Sequence, residues 1–377
     1  MKILFISEYY PPTVQGGGEV NLAEVAKALA KSGTHVSVLT SYHSSLPPFE
    51  IKDGVEIYRR LRTGASPRKF TDNIKRAFLL PRSIIRETTL FCQEQDIDII
   101  HFIGISIIAA QKLQRLNKLL FATIESYPAL CPKGDRLYHG KRECVITCTP
   151  RKFLSCQRDS SEFGKMKNKW YLKYNPLFLW FTYHRYQQLN KALSYCKLIA
   201  ISSYVQNVLL QYHHESEVIP NAFDAAPFSQ TSDHQRNSKP LILYVGELIE
   251  SKGPQILLEA LQGLDYRCEL YGDGVLKEKL QYIIRDTHLD AKIFPPVSYQ
   301  KMPEIYAKSD LVVFPSLWPE PFGRIPLEAM AARKPVIASN TGAISEIIGK
   351  NGWLFPAGDS LALRNMIQEI LRGKTIL

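Results

Sequence analysis

Short apolar runs recur along this chain, each followed by a loop or a stretch with helical periodicity. Residues 2–7, 35–40, 99–103, 121–124 and 197–202 read as strands, and so do 241–246, 268–271, 311–314 and 336–338. An amphipathic helix runs to about Lys31, where Gly33 ends it, and residues 300–310 carry a second helical pattern. Strand, Gly-rich loop, helix, strand is the opening unit of a doubly wound sheet, whose ligand crevice lies at the carboxyl ends of its strands. A strand running into a Gly turn recurs at residues 241–246, and 377 residues are too many for one typical core. The expected fold class is therefore α/β, with two doubly wound Rossmann-like domains facing a cleft. The expected boundaries are 1–225 for the first domain, 226–239 for a linker and 240–377 for the second.

Composition is that of a globular chain, 45% hydrophobic and 22% charged, and no apolar run reaches the length of a membrane span. Met1 to Ser7 lacks a small-residue cleavage site and reads as a first strand, which makes a cytoplasmic location the default. The charge is uneven. Residues 1–225 hold 30 Lys and Arg against 19 Asp and Glu, a balance of +11, and the remainder holds 17 of each. A basic half suits nucleic acid, anionic lipid or an acidic substrate. Nucleic acid ranks last because no helix-turn-helix, zinc-finger or RNA-binding signature accompanies the charge.

Two basic stretches leave alternatives open. Residues 59–86 contain nine basic residues and one acid, Asp72, with Ile74, Phe78 and Leu79 as an apolar face. They suit either a patch for an anionic membrane surface or acceptor, peripheral on the inner face, or a solvated helix face. Residues 165–195 mix bases with aromatics. They suit an interfacial helix with Trp170, Phe178, Trp180 and Phe181 on its apolar side, a stacking platform for single strands, or a helix packed on the domain.

The chemistry concentrates in residues 311–338, LVVFPSLWPEPFGRIPLEAMAARKPVIA. Leu311 to Phe314 reads as a buried parallel strand, Pro315 to Gly323 as a loop, and the following segment as a short helix with Pro326 in its first turn. That order makes an anion site, since free backbone N–H groups and the helix dipole face the loop. Glu320 and Glu328 bracket it. Carboxylates there repel a phosphate but accept hydrogen bonds from neutral hydroxyls such as those of a sugar.

Glu320-Pro321-Phe322-Gly323 followed by Glu328-Ala329-Met330-Ala331, with Pro-Ser-Leu-Trp before and Lys334 to Ala338 after, resembles the Glu-x7-Glu signature of family 4 glycosyltransferases. Those are retaining enzymes of the GT-B fold that use nucleotide-sugar donors. The resemblance implies a metal-independent glycosyltransferase of hexosyltransferase type. Its partners would be an NDP-sugar donor and a glycan or lipid-linked acceptor, in cell-surface polysaccharide or glycolipid synthesis. By the same resemblance Glu328 would hold ribose hydroxyls and Glu320 sugar hydroxyls near Phe322. The N–H groups of Gly323, Arg324 and Ile325, with Lys252, would hold the diphosphate. Gly17 and Gly18 would lie near diphosphate and sugar, Gly246 at the turn after the second domain's first strand, and Gly272-Asp273 by the base. The implied catalytic set is Glu320, Lys252, Glu125 and His101, and no cofactor is required for catalysis.

The chain departs from the family pattern twice. Glu125-Ser126 stands where many relatives carry His-Asp, and Glu247 where an Arg usually faces the diphosphate, with Arg324 as a substitute cation. An anion beside a leaving diphosphate weakens its stabilisation, which motivates an alternative: a non-catalytic nucleotide- or glycan-binding relative acting as an assembly partner. Asp96-Ile97-Asp98 spells a DxD but precedes the run Ile99 to Ile103, so it caps a strand and is assigned no metal. Cys131, Cys144, Cys148 and Cys156 lie in a basic loop with twelve, three and seven residues between them. They suit either a structural zinc or iron–sulfur centre or free thiols. Family members commonly continue with a helix crossing back to the first domain, and the sequence to Leu377 is expected to be either short there or truncated.

Overall fold

The computed structural model describes residues 1–14, 16–64, 70–139, 142–145, 147–158, 174–229 and 239–372, except for the side chains of Phe70 and Thr71. It divides into two compact units. The first comprises Met1–Gly134, Ile146–Cys148 and Trp180–Phe223, and the second Asp135–Val145, Thr149–Leu179 and Asp224–Leu377.

The first unit is built on eight strands: β1 (Lys2–Ile6), β2 (His35–Ser41), β3 (Phe49–Lys52), β4 (Val55–Leu61), β5 (Ile99–Ile103), β6 (Leu119–Ile124) and, after a short ribbon of β7 (Leu137–Tyr138) and β8 (Arg142–Glu143) in the other unit, β9 (Lys197–Ala200) and β10 (Ser216–Val218). Their order is β10-β9-β6-β5-β1-β2-β4-β3. Every pair is parallel except β3 with β4. The order runs outward from β1 in both directions, so the crevice of a doubly wound sheet falls beside the carboxyl end of β1. Ile3, Phe5, Val36, Val38 and Ile57 close the core under helix α1 (Gly17–Lys31), which contributes Leu22 and Ala26.

The second sheet has the order β13-β12-β11-β14-β15-β16, all parallel. Its strands are β11 (Leu241–Val245), β12 (Arg267–Tyr271), β13 (Ala291–Phe294), β14 (Leu311–Phe314), β15 (Val336–Ser339) and β16 (Trp353–Phe355). Here the reversal lies between β11 and β14, so the loops after those two strands form the crevice. Leu311 to Phe314 are all buried, as befits a central strand covered on both faces.

Three stretches differ from expectation. Residues 59–86 are not one helix: Arg59, Arg60 and Leu61 end β4, and helix α2 (Phe70–Glu94) begins later. Arg59 is buried, with its guanidinium on Glu50 and on the Pro47 carbonyl. Of residues 165–195, 165–173 with Trp170 lie outside the described residues, and the rest contains helix α3 (Pro176–Leu193). The buried side of α3 carries Leu179, Tyr186, Leu189 and Leu193, whereas Trp180 is 64% exposed and stacks on His184. Spacing places Leu179, Tyr186, Leu189 and Leu193 on one helical face, so packing takes that face and leaves Trp180 outside. The linker expected over 226–239 opens with one helical turn, Ala226–Ser229, whose Phe228 is buried against Tyr299 and Tyr306. Residues 230–238 lie outside the described residues.

Candidate active site

The second unit's site is made by the loops after β11 and β14. Gly253 has φ +70, and a Cβ there would lie 1.9 Å from the Pro315 carbonyl oxygen, so only glycine lets the segment 251–253 press onto the β14 loop. The backbone N–H groups of Leu317 and Trp318 donate to the Ser251 carbonyl at 2.8 and 2.9 Å and lock the two loops together. Glu320 is fixed from the other side. Its carbonyl accepts from Ala343 N at 2.8 Å, and Gly342, at φ +59, leaves room for its backbone.

This scaffold aims a small set of side chains at one another. Lys252 Nζ lies 2.7 Å from Glu320 Oε1 and 4.1 Å from the centre of the Trp318 ring. Ser316 Oγ donates to the same Oε1 at 2.8 Å. Glu320 is buried, and its Oε2 takes no bond from the described residues. Three residues on, Gly323 (φ +115) caps the helix Arg324–Ala331, whose first N–H groups face the loop.

Glu328 is buried in that helix rather than solvated on its surface. Its Oε2 accepts from the Tyr306 hydroxyl at 2.8 Å, and its Oε1 lies 3.4 Å from Arg324 Nε. Burial raises its carboxyl pKa, while the hydrogen bond from Tyr306 and the charge of Arg324 oppose the rise. Arg324 also donates to the Tyr299 hydroxyl at 2.9 Å. Arg324, the substitute cation expected to offset Glu247, is therefore turned to Glu328 and Tyr299. Glu247 itself is exposed, beside the turn that Tyr244 closes by donating to the Glu247 carbonyl at 2.8 Å. A Cβ at Gly272 would meet the Gly246 carbonyl at 1.9 Å, so packing of the β11 and β12 loops requires that glycine. Asp273 accepts from Leu248 N through its carbonyl at 2.9 Å and pairs with Lys277 at 3.6 Å.

The first unit holds the remaining named residues. Gly17 and Gly18 lie in the first turn of α1 rather than in the loop before it, and Glu19 accepts from Gly16 N at 2.9 Å. Glu125, after β6, reaches the same turn. Its Oε1 accepts from Asn21 Nδ2 at 2.7 Å, and its Oε2 would lie 2.4 Å from a Cβ at Gly18. Asn21 is held in turn by Ala222 N, which donates to Asn21 Oδ1 at 3.0 Å. Burial pushes the Glu125 carboxyl up to about 8, against the Asn21 hydrogen bond and with some help from the charge of Glu19. His101 is a histidine of the sheet: it shares a hydrogen bond with Thr123 Oγ1 at 2.8 Å and stacks on Phe5, and burial lowers its pKa to about 4. Asp98 accepts from Lys2 N at 2.7 Å and Asp96 pairs with Lys118 at 3.0 Å.

Among the described residues, which include all four cysteines, no group of three metal-ligating side chains forms. Cys131 and Cys156 are buried thiols, and Cys156 Sγ donates to the Leu137 carbonyl at 3.6 Å. Reading the sequence named Glu125, Glu320, Glu328 and Lys252 but not the groups that hold the glutamates: Asn21 on Glu125, Ser316 on Glu320 and Tyr306 on Glu328, with Tyr299 accepting from Arg324. Ser316 precedes Glu320 by four residues in the same loop, whereas Tyr306 and Asn21 come from helices far along the chain, so no local spacing links those two to Glu328 and Glu125.

Two parallel α/β units of Rossmann type, each with its loops gathered at the strand ends, define the GT-B class. The model for Glycosyltransferase Family 4 matches residues 15–226, and that for glycosyl transferases group 1 matches residues 228–376. The chain belongs to family 4 of the glycosyltransferases. One glycosyltransferase of Methanocaldococcus jannaschii is 28% identical over 184 residues, 48% of this chain and 51% of that protein. Another from the same organism is 23% identical over 382 residues, 96% of this chain and 87% of that protein. The chain thus spans about half the length of the first relative and most of the second. Sucrose-phosphate synthase of Thermosynechococcus elongatus has the same fold, with a TM-score of 0.73, 21% identity and coverage of 98% of this chain and 90% of that one. The HepE protein of Anabaena, solved with UDP-glucose, matches with a TM-score of 0.66, 19% identity and coverage of 99% and 90%.

Proposed function

We propose that this chain transfers a hexose, with retention of anomeric configuration, from a nucleoside-diphosphate sugar to a glycan or lipid-linked acceptor in cell-surface polysaccharide or glycolipid synthesis. The observation that carries the reading is the Lys252–Glu320–Ser316 constellation at the carboxyl ends of β11 and β14, beside the helix N-terminus at Gly323. The open oxygen of Glu320 suits a sugar hydroxyl. Lys252 and the N–H groups of Arg324 and Ile325 suit a diphosphate whose charge grows as the sugar leaves. Glu328, on its tyrosine and arginine partners, suits ribose hydroxyls. The binding of UDP and UDP-glucose by the structurally similar HepE supports this donor class. In this reading catalysis is positioning plus stabilisation of the leaving diphosphate, and the chain's own cation and helix terminus supply the positive charge. The acceptor belongs to the basic first unit, and the exposed apolar and basic face of α2 suits an anionic membrane surface that presents it.

The test is binding and hydrolysis across a panel of nucleotide sugars, with Glu320→Ala and Glu328→Gln as controls. Saturable binding of one donor, weakened in both variants, is the expected result. A folded chain that binds no nucleotide sugar would shift the reading to the non-catalytic relative.

A further inference from the structure

The residues that follow β1 form a cluster the donor pocket does not use. Glu8 is buried where β1, β2 and β4 end. Its carbonyl accepts from Ser41 N and from Thr40 Oγ1, both at 3.2 Å. Its Oε1 accepts from Thr63 Oγ1 at 2.7 Å, and its Oε2 from Arg76 Nε at 2.7 Å and from Arg76 Nη2. Those bonds satisfy the carboxylate without exhausting the cations around it. Arg76, from α2, lies over the Tyr9 ring at 6.0 Å from its centre. Arg185, from α3, comes to the same place, its Nη1 donating to the carbonyl of Ala77 at 3.0 Å. Among the described residues Arg185 has no carboxylate partner.

The balance is one carboxylate against two guanidiniums. Burial and the neighbouring Arg76 lower the Arg185 pKa to about 10, while Glu8 opposes them, so its charge is held at a cost. The Tyr9 hydroxyl is buried on the Glu8 side of the cluster, and it meets no partner within 3.5 Å among the described residues. Burial first, then the charge of Glu8, raises its pKa to about 12, with Arg76 opposing and the hydroxyl's side-chain hydrogen bond towards Glu8 and the charge of Glu19 adding, so it remains a proton donor. A desolvated cation and an unpaired buried donor each cost stability unless something accepts from them. Every open group in the cluster is a donor. The complement is an acceptor-only group with negative charge, and the cluster sits at the strand ends where doubly wound sheets take ligands.

We infer that Arg76, Arg185 and Tyr9 form a binding site for an oxyanion, a phosphate or carboxylate group carried by a ligand, with Glu8 positioning Arg76. Where the transfer reaction proposed above holds, that ligand is the acceptor and the site selects acceptors bearing a negative charge; this clause rests on that reading and the anion site does not.

Inorganic phosphate is the probe, titrated by calorimetry into the full chain carrying Lys252→Ala so that the donor-side cation does not contribute. Saturable binding of one phosphate is expected, weakened about ten-fold by a further Arg185→Gln and similarly by Tyr9→Phe. Tyr9→Phe should melt at or above its parent, because it removes an unpaired buried hydroxyl. Absence of saturable binding, or an affinity that both variants leave unchanged, overturns the site and assigns the cluster to packing. Nucleotide-sugar hydrolysis by the unmutated chain is read separately. If it is absent while phosphate binding responds as expected, the transfer reading fails and the anion site stands.

Discussion

Lys252 Nζ and Glu320 Oε1 are 2.7 Å apart across 68 residues of sequence, and their contact ties the β11 loop to the β14 loop. The glutamate side chain is 8% exposed and the lysine 20%, so the pair is desolvated on one side only. Removing the lysine leaves a buried carboxylate with Ser316 as its remaining donor. Lys252→Ala should therefore cost about 2 kcal/mol of stability, below the roughly 3–5 kcal/mol of a fully enclosed pair. It should lower kcat by roughly 100-fold or more if the ammonium faces the leaving diphosphate. Glu320→Gln keeps an acceptor for both partners, so it should melt near wild type yet lose donor affinity. Melting curves and donor titrations on the two variants check this, and equal effects of both on stability alone would reduce the pair to a structural bolt.

The raised pKa of Glu125, about 8, has a definite consequence for stability. The folded chain holds a proton there that the unfolded chain, with an ordinary carboxyl near about 4, has already lost. Between those two values the folded state binds more protons, so stability contributed by this group falls as pH rises and levels off above about 8. Glu125→Gln should flatten that part of the profile, gaining most over wild type near pH 8. Gly18→Ala puts a methyl 2.4 Å from Glu125 Oε2 and should destabilise. Glu125→Ala should relieve it, with a coupling of roughly 1–2 kcal/mol in a double-mutant cycle of melting curves. Additive effects would mean the carboxyl moves aside freely.

What could be read from the sequence divides along physical lines. The nine strands read as apolar runs come out close to their observed ends, because such a run between turn residues has few other uses in a two-domain α/β chain, whereas β3, β4, β10, β13 and β16, short or interrupted by polar residues, do not come out. Glu320 and Glu328 stand out because a strand, a loop and a helix start bring them together within eighteen residues, Leu311 to Glu328. The burial of Glu328 under Tyr306 and the grip of Asn21 on Glu125 do not come out, since each joins segments far apart in sequence whose meeting depends on the finished sheet. The basic stretch at 59–86 misleads for a related reason: charge counts cannot show that Arg59 is buried on Glu50 inside a strand while Lys75 and Arg82 remain outside.

Glu247 separates an active enzyme from an impaired one. It is exposed at the end of β11, while Lys252 and Arg324 already face Glu320 and Glu328. Glu247→Arg changes an exposed side chain and keeps the backbone carbonyl that accepts from the buried Tyr244, so it should shift the melting temperature little. If the glutamate merely weakens diphosphate stabilisation, the arginine should raise kcat/KM by roughly ten-fold, the effect of one added charge-assisted contact. A fall in turnover would show instead that the pocket is arranged around the acid.

The outward face of α2 tests the membrane reading. At 100° per residue, Ile74, Phe78, Arg82, Lys75, Arg86, Leu79 and Leu90 fall within an arc of about 160°. Ile74 is 43% exposed, Phe78 49%, Leu79 41% and Leu90 38%, and no exposed acid lies on the arc. Phe181 of α3 packs on Phe78 at 5.6 Å between ring centres, which holds that aromatic in place at the surface. No described helix is long and apolar enough to cross a membrane, so attachment through this face would be interfacial. Such a face gains from both apolar insertion and anionic headgroups, each basic residue contributing on the order of 1 kcal/mol near a charged surface. The chain should float with phosphatidylglycerol vesicles and not with phosphatidylcholine vesicles, and the binding should weaken in high salt. Phe78→Ser with Leu79→Ser should lower vesicle affinity roughly ten-fold or more while the chain still folds, since both side chains are already half in water. Flotation that ignores lipid charge, or that survives both serines, would assign the face to a protein partner or to solvent.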